Sequence, residues 1–428
     1  MNKSAKKWIS RLVKFAVCAG ALWYLSTKVS LDDYVRLAES PETKYRLVSQ
    51  SEETLRIRDV DGGHVREVSR HAVAKQEQLK KDQRPIELGL KTIVRTTNWS
   101  WTGWALLSFG PVTFILSWRL RLLLATQGIQ ISYVHTLLLT FAGNFFNFAM
   151  PGTTGGDLYK AYHIAKRTHK RTEGVTVVIL DRAIGLISFL LIAVVAIGVA
   201  GVTGTTIIGT YGTWVGLTMV ALMVGGMLFF SNRVRRWIRY DAWLGKLPFA
   251  DKLKRIDETA FSFRYHRPQA LISLGVTLLS HCFIVTCIYF LARGFGIHPN
   301  LGRGANELYM ACTISTAVGF LFAAVPISVQ GFGLLEAVFF KVMVEGQWSN
   351  ASQMLALTLG ARLVQIVWSL PGLLVPWLGM ERPSGVSDRA PLGSNEVSGA
   401  DMQMTSLKPS QPRLSVPKHR TFAASESD

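Results

Sequence analysis

Residues Met150–Arg171 read MPGTTGGDLYKAYHIAKRTHKR. The apolar run before them, LLLTFAGNFFNFA, heads off as a bilayer-crossing helix would. It then meets Pro151, the glycines Gly152, Gly155 and Gly156, and a carboxylate at Asp157. Lys160, Lys166, Arg167, Lys170 and Arg171 follow at once. Proline removes an amide donor and breaks the helical ladder, while glycine permits tight turns and close backbone approach. Backbone groups freed at membrane depth are tolerated only where protein buries them or a wet cavity receives them. The stretch reads as a helix broken inside a membrane, and that break organises the rest of the chain.

Working outward, the 428-residue chain is 49% hydrophobic and only 18% charged, with the apolar residues gathered into blocks. A membrane span needs about 20 mostly apolar residues. Full spans are predicted at 9–27, 99–118, 174–200, 205–230, 268–293 and 352–379. Two further segments, 132–150 and 306–326, each run into a proline and a glycine-rich break. The fold class is an all-α polytopic membrane protein: about six full spans, two broken or re-entrant helical elements, and a small α+β extracytoplasmic insert.

The net charge of +19 does not point to nucleic acid, because no basic stretch carries a recognition module. Arg233, Arg235, Arg236, Arg239, Lys252, Lys254 and Arg255 cluster between spans, as expected for the cytoplasmic side of a membrane protein. Cys18, Cys282, Cys287 and Cys312 all sit in apolar segments and imply neither a disulfide framework nor a metal site. His135, His163, His169 and His281 show no metal-ligand spacing, and no cofactor is expected. The basic start and apolar middle of residues 1–27 resemble a signal peptide. Lys14 and the weak match at Ala19-Gly20-Ala21 favour an uncleaved anchor helix.

Residues 28–98 form a polar insert with nearly balanced charge. Leu55, Ile57, Val65 and Val68 flank Asp61-Gly62-Gly63, which predicts a β-hairpin, and a Lys- and Gln-rich helix is expected near 72–83. Residues 99–380 carry the main transmembrane domain. The tail, 381–428, is rich in Ser and Pro with few aromatics, and is expected to be disordered.

Lys3, Lys6, Lys7 and Arg11 place the N-terminus in the cytoplasm of a cell-membrane protein, so the insert falls outside. Arg119 and Arg121 mark the return to the cytoplasm. If 132–150 crossed fully, the basic cluster after Asp157 would lie outside; if it dips and returns, the cluster stays inside. The same logic at 306–326 gives a second re-entrant element from the other face, and a cytoplasmic C-terminus.

The second break, FAAVPISVQGFGLLEAVFFK, follows the plan of the first: apolar helix, proline, glycine, carboxylate, amphipathic helix. Interrupted helices in corresponding halves of a transporter mark its binding site. The first break supplies Asn144, Asn147, Pro151, Gly155, Gly156, Asp157 and Lys160 as candidates. The second supplies Pro326, Gln330, Gly331, Gly333 and Glu336. Asp181, Arg182 and Arg362 add charges within apolar sequence, where each costs roughly 2.5–3.5 kcal/mol on insertion scales. They read as structural ion pairs or as groups that bind a head group or relay protons. Asp157 reads also as a helix cap, and Asn144 and Asn147 as interhelical polar contacts.

With these motifs in view, the chain resembles the lysylphosphatidylglycerol synthase transmembrane family, the flippase-like domain also found in multiple peptide resistance factors. The likeness rests on P-x-x-x-G-G-D at Pro151–Asp157, VILDRAIGL, P-I-S-x-x-G-x-G-x-x-E at Pro326–Glu336, and LGARLVQIVWSLPG, and covers 1–27 and 99–380. It implies a lipid-handling membrane domain, with Pro151, Gly156, Asp157, Arg182, Pro326, Gly331, Gly333, Glu336 and Arg362 at motif positions. The family's aminoacyl-transferase domain has no counterpart in the tail, so synthesis is not expected of this chain.

The expectation is a lipid flippase or transporter in which helix N-termini and Arg182 or Arg362 hold an anionic or lipid-linked head group. Asp157 and Glu336 would tune access, bind a cation or carry protons. The alternatives are an intramembrane lipid transferase, and a non-transporting partner of a lipid-modifying enzyme or lipid-linked glycosyltransferase. Membrane lipids are the expected ligands.

Overall fold

The computed structural model describes residues 27–59, 63–80, 83–149, 155–202, 266–298, 304–324 and 331–376, with Gly20 and Trp23. Pro151, Pro326, Gln330, Asp61-Gly62, most of the 9–27 anchor, the 205–230 span, almost all of the basic 231–267 segment and the 381–428 tail lie outside the described residues.

The first described unit is a five-stranded sheet of β1 (Tyr34–Leu37), β2 (Ser40–Gln50), β3 (Thr54–Asp59), β4 (Arg66–Ser69) and β5 (Ile86–Glu87). Its order is β4-β3-β2-β1-β5, and every pairing is antiparallel. Alternation sets its faces: Val35, Leu37, Leu55 and Ile57 are buried together, while Arg46, Arg56 and Arg58 point to solvent. Leu55 sits opposite Val68, so β3 and β4 form the expected hairpin.

The helix expected near 72–83 is not formed. Short 3₁₀ turns at Arg70–Ala72 and Gln76–Gln78 stand there instead. Between them the chain is extended beside β1: Ala38 N donates to Ala72 O, and Ala74 N donates to Arg36 O. The Lys- and Gln-rich composition solvates this segment but supplies no apolar stripe to hold a helix against the sheet.

The helices are α1 (Leu90–Arg95), α2 (Trp99–Thr126), α3 (Tyr133–Ala149), α4 (Gly155–Arg167), α5 (Arg171–Val202), α6 (Arg267–Gly294), α7 (Ala305–Ala324), α8 (Leu334–Phe339), α9 (Ala351–Ser369) and α10 (Pro371–Leu374). A π-helical turn, Phe340–Val344, continues α8. Among the described residues, five helical stretches are long and apolar enough to cross a membrane: α2, α5, α6, α7, and α9 with α10. The broken segment at 306–326 is thus an unbroken helix as far as Ala324, whereas α3 is shorter, at 17 residues. The span expected at 99–118 also runs further, to Thr126, and takes Arg119 into the helix.

Lipid is as apolar as leucine, so burying apolar surface does little to drive helices together within it; close packing and polar contacts do. The outer surface shows this, with Trp99, Trp104, Leu107 and Trp118 of α2 all exposed. Inside, Leu120, Leu123 and Leu124 of α2 pack with Leu139 of α3, Ile164 of α4, and Val177 and Val178 of α5. A second cluster joins Leu291 of α6, Leu308 of α7, Phe339 of α8, Met343, and Leu357 of α9. Glycine permits the tightest approaches. A Cβ at Gly156 would collide with the Gly143 carbonyl of α3, and one at Gly372 with the Phe141 carbonyl.

The bundle has two distinct ends. At one, Asn98 N donates to Gly294 O (2.9 Å), joining the start of α2 to the finish of α6. Asn350 Nδ2 donates to Leu88 O (3.0 Å), and Ser30 N donates to Ser352 Oγ (3.1 Å), so the sheet region is latched to the start of α9. At the other end, Lys170 Nζ donates to Gln127 O (2.9 Å). The 28 residues of α2 separate these ends by roughly 40 Å.

α3 follows α2 after residues 127–132, and α4 returns the chain to Lys170; these two arms lie against each other. α7 and α8 do the same from the sheet end, and the chain returns to Asn350. The structure therefore contains two helical hairpins entering the bundle from opposite ends.

Candidate functional site

A cavity of about 360 Å³ lies where the hairpins meet. α3 contributes Asn144, Asn147 and Phe148 to its wall, α4 Asp157, α7 Phe320, and α8 Leu335 and Phe339. α5 adds Asp181 and Arg182, α6 His281, and α9 Arg362 and Gln365. From α2 come Thr113 and Arg119. Gly155, Gly156, Lys160, Gly331, Gly333 and Glu336 do not line it; they shape the hairpins that do.

At the first hairpin, Gly156 N donates to Asn147 Oδ1 (2.8 Å), so a side chain of the preceding helix satisfies an amide that α4 cannot pair. The capping role expected of Asp157 falls here to Asn147. Asp157 Oδ2 instead accepts from Arg182 Nη1 at 2.5 Å, and the two side chains remain 25% and 28% exposed. Lys160 is buried, its alkyl chain against Gly143, in the groove that the Gly143–Gly156 contact opens.

At the second hairpin, Gly331 and Gly333 hold φ values of 71° and 86°, left-handed conformations that favour glycine. Gly333 N donates to Glu336 Oε2 (2.7 Å), capping α8 from its own third position. The other carboxylate oxygen accepts from Arg362 Nη2 (2.8 Å) and Nε (3.2 Å). Glu336 is 1% exposed, and the Arg362 guanidinium lies 3.7 Å from the centre of the Phe332 ring. Breaking one side of so buried a pair strands a charge, which is far costlier than removing both.

A third pair belongs to neither hairpin. Arg119 Nε and Nη2 donate to Asp181 Oδ1 at 2.8 and 2.7 Å, and Arg119 Nη1 donates to Thr277 Oγ1 at 2.8 Å. Both charged groups are buried. The sequence presents Arg119 as a loop charge at the end of a span. With Asp181 facing it across 62 residues of chain, the helix continues through it.

His281 stacks on Phe189, with ring centres 3.6 Å apart and planes 12° off parallel, and Phe189 stacks in turn on Phe320. Sequence reasoning weighed His281 only as a metal ligand and passed over Thr113, Arg119 and Gln365. The usable signal was position: Thr113 and His281 are polar residues halfway along 28-residue apolar helices. Among the described residues, no group of three or more His, Cys, Asp and Glu side chains is arranged to hold a metal ion.

Outside the spans, α4 carries His163 beside Tyr159, Lys166 and Arg167. Burial, with the charges of Arg167 and Lys166, holds the His163 pKa below its ordinary value.

Fold and site together define a polytopic helical membrane protein with a charged cavity between two glycine-hinged hairpins. Its sequence matches the family model for the lysylphosphatidylglycerol synthase TM region over residues 89–372, and the chain belongs to that family. A search of the curated proteins returned no match.

Proposed function

We propose that this integral membrane protein moves a lipid head group between leaflets, through the cavity where its two hairpins meet. The observation that carries this reading is the placing of paired charges from four helices, α2, α4, α5 and α9, around one chamber reached by hairpins from opposite ends. Charged groups inside a membrane usually mark a substrate or ion pathway. Lys166, Arg167, Lys170 and Arg171 gather at the end of the bundle away from the sheet, so the positive-inside rule places that end in the cytoplasm and the sheet outside. In that orientation α3–α4 is re-entrant from the cytoplasmic face and α7–α8 from the outer face.

The pairs differ in readiness to exchange partners. Arg119–Asp181 and Arg362–Glu336 are buried, and the second is also tied into a helix cap. Arg182–Asp157 lies on the wall and is about a quarter exposed, so it is the pair that opens to a ligand. A phosphate would take the Arg182 guanidinium in two parallel hydrogen bonds, leaving Asp157 for a cationic group of the same head. A lipid-modifying enzyme or lipid-linked glycosyltransferase fits as a supplier or consumer of the lipid.

The test is reconstitution in vesicles carrying a fluorescent phospholipid, with leaflet exchange read by dithionite quenching. Arg182→Gln should abolish exchange while the protein elutes and melts as the wild type does. Undiminished exchange in that variant removes the proposed role of the pair.

A further inference from the structure

α1 stands where the sheet region meets the membrane. It ends at Arg95, and the span α2 begins at Trp99, with only residues 96–98 between them. One side of α1 is held by protein. Ile93 is 1% exposed, and Asp33 accepts from Gly89 N (2.6 Å) and Thr92 Oγ1 (2.9 Å). Its other side carries Lys91, Val94 and Arg95, three and four residues apart and so on one helical face, all of them exposed. Residues 30–31 run against the first turn, where Leu90 N donates to Ser30 O (2.9 Å) and Lys91 N to Leu31 O (3.2 Å). Leu31 is 59% exposed, Val94 60% and Trp99 73%.

One exposed valine needs no explanation. Here three large apolar side chains stand beside cations that the protein does not fully neutralise. Lys91 and Arg46 share the single carboxylate of Asp32 at 3.1 and 2.8 Å, and Arg95 makes no ion pair among the described residues. Basic and apolar side chains together, next to a tryptophan at the start of a span, make the composition of a membrane-interface surface. A soluble partner would have to displace head groups to reach a patch so close to where the chain enters the bilayer.

We infer that Leu31, Val94 and Trp99, with Lys91 and Arg95, form a foot that rests on the leaflet at the sheet end of the bundle. The apolar side chains enter the head-group layer, and the two cations face the phosphates of anionic lipids. The same segments hold the latch: Ser30 N donates to Ser352 Oγ, and Asn350 Nδ2 to Leu88 O. The foot is thereby joined to the start of α9 and, through Arg362–Glu336, to α8. This surface is separate from the cavity and does not depend on the transport reading.

The test places a bimane label at Leu31→Cys or Val94→Cys in the full chain, with its four native cysteines replaced by alanine. Glu53→Cys, in the exposed turn between β2 and β3, is the reference. Quenching by a doxyl lipid and by aqueous iodide is read in nanodiscs of phosphatidylcholine, alone or mixed equally with phosphatidylserine. Labels at 31 and 94 should be quenched by the doxyl lipid at least about twofold more than at 53, and less by iodide. Phosphatidylserine should raise the doxyl-to-iodide ratio at 94, and Lys91→Gln with Arg95→Gln should cancel that rise. Equal doxyl quenching at all three positions overturns the foot. Shielding of 31 and 94 from both quenchers marks a protein partner or a second copy, and overturns it too. A ratio indifferent to phosphatidylserine overturns the anionic partner. Hydrogen exchange on the unmodified chain gives a label-free reading: the amides of 90–95 should exchange more slowly in the mixed discs, and unchanged exchange counts against the proposal.

Discussion

The two hairpins share a plan and solve it differently. In α3–α4 the helix after the break is capped from the preceding helix by Asn147, which leaves Asp157 at the cavity wall, a quarter exposed, against Arg182. In α7–α8 the carboxylate is the cap: Glu336 holds Gly333 N with one oxygen and Arg362 with the other, out of reach of solvent. Both acids are the third residue of their helix. In the first hairpin Asn147 already accepts from Gly156 N, and Asp157 faces Arg182 instead. The first hairpin therefore spends its carboxylate on the cavity and the second on its own fold.

Removing the second carboxylate tests that division most severely. Glu336→Ala removes the carboxylate that faces Arg362 and the cap of α8, and should cost on the order of 3–5 kcal/mol; the expected readout is aggregation on size-exclusion chromatography or a sharply lowered melting point. A well-folded, fully stable variant would erase the contrast between the hairpins. Next come the glycines. Gly156→Ala drives a methyl into the Gly143 carbonyl and Asn147, for about 1–3 kcal/mol of overpacking. Gly331→Ala adds the cost of a left-handed φ, about 1–2 kcal/mol, to a collision with Ala323. Thermal unfolding in detergent should rank both above any substitution at the exposed Leu158.

Asp157→Asn should scarcely move the melting point, because a pair this exposed contributes at most about 1 kcal/mol, yet it should suppress lipid exchange. A large stability loss there would make Asp157 a second Glu336. The smallest effect expected is in pH. With its pKa below the ordinary value in the fold, His163 binds a proton less readily there, and the unfolded chain takes up the proton first as pH falls. Stability should therefore fall as pH drops through about 6.5 and on toward the lower folded-state pKa. His163→Gln should flatten that acid-side decline in melting point.

The helical class and the sheet were legible because each rests on local sequence: apolar runs of span length, and alternation about Asp61-Gly62-Gly63. Both glycine breaks were legible for the same reason. What local sequence hides is pairing over distance. Nothing near Arg119 announces Asp181, so a charge that continues a helix through the bundle reads as the end of a span. Hydropathy also undervalues a polar residue such as Thr113, which belongs to the cavity wall. The 72–83 segment failed for the converse reason: its composition permits a helix, but hydrogen bonds to the β1 neighbourhood take the backbone first.

The three ion pairs carry one last consequence. Each of these arginines faces a carboxylate of opposite sign, so each closed pair contributes no net charge. A rocking of the hairpins that keeps the pairs together would displace no net charge from them through the electric field of the bilayer. A voltage of 100 mV does about 2.3 kcal/mol of work on each unit charge carried across and almost none on a neutral pair. In the proposed cycle the two pairs that stay closed, Arg119–Asp181 and Arg362–Glu336, add nothing to electrogenicity, and any dependence on membrane potential would come from the cargo, from the Arg182–Asp157 pair that opens, or from charges outside the pairs.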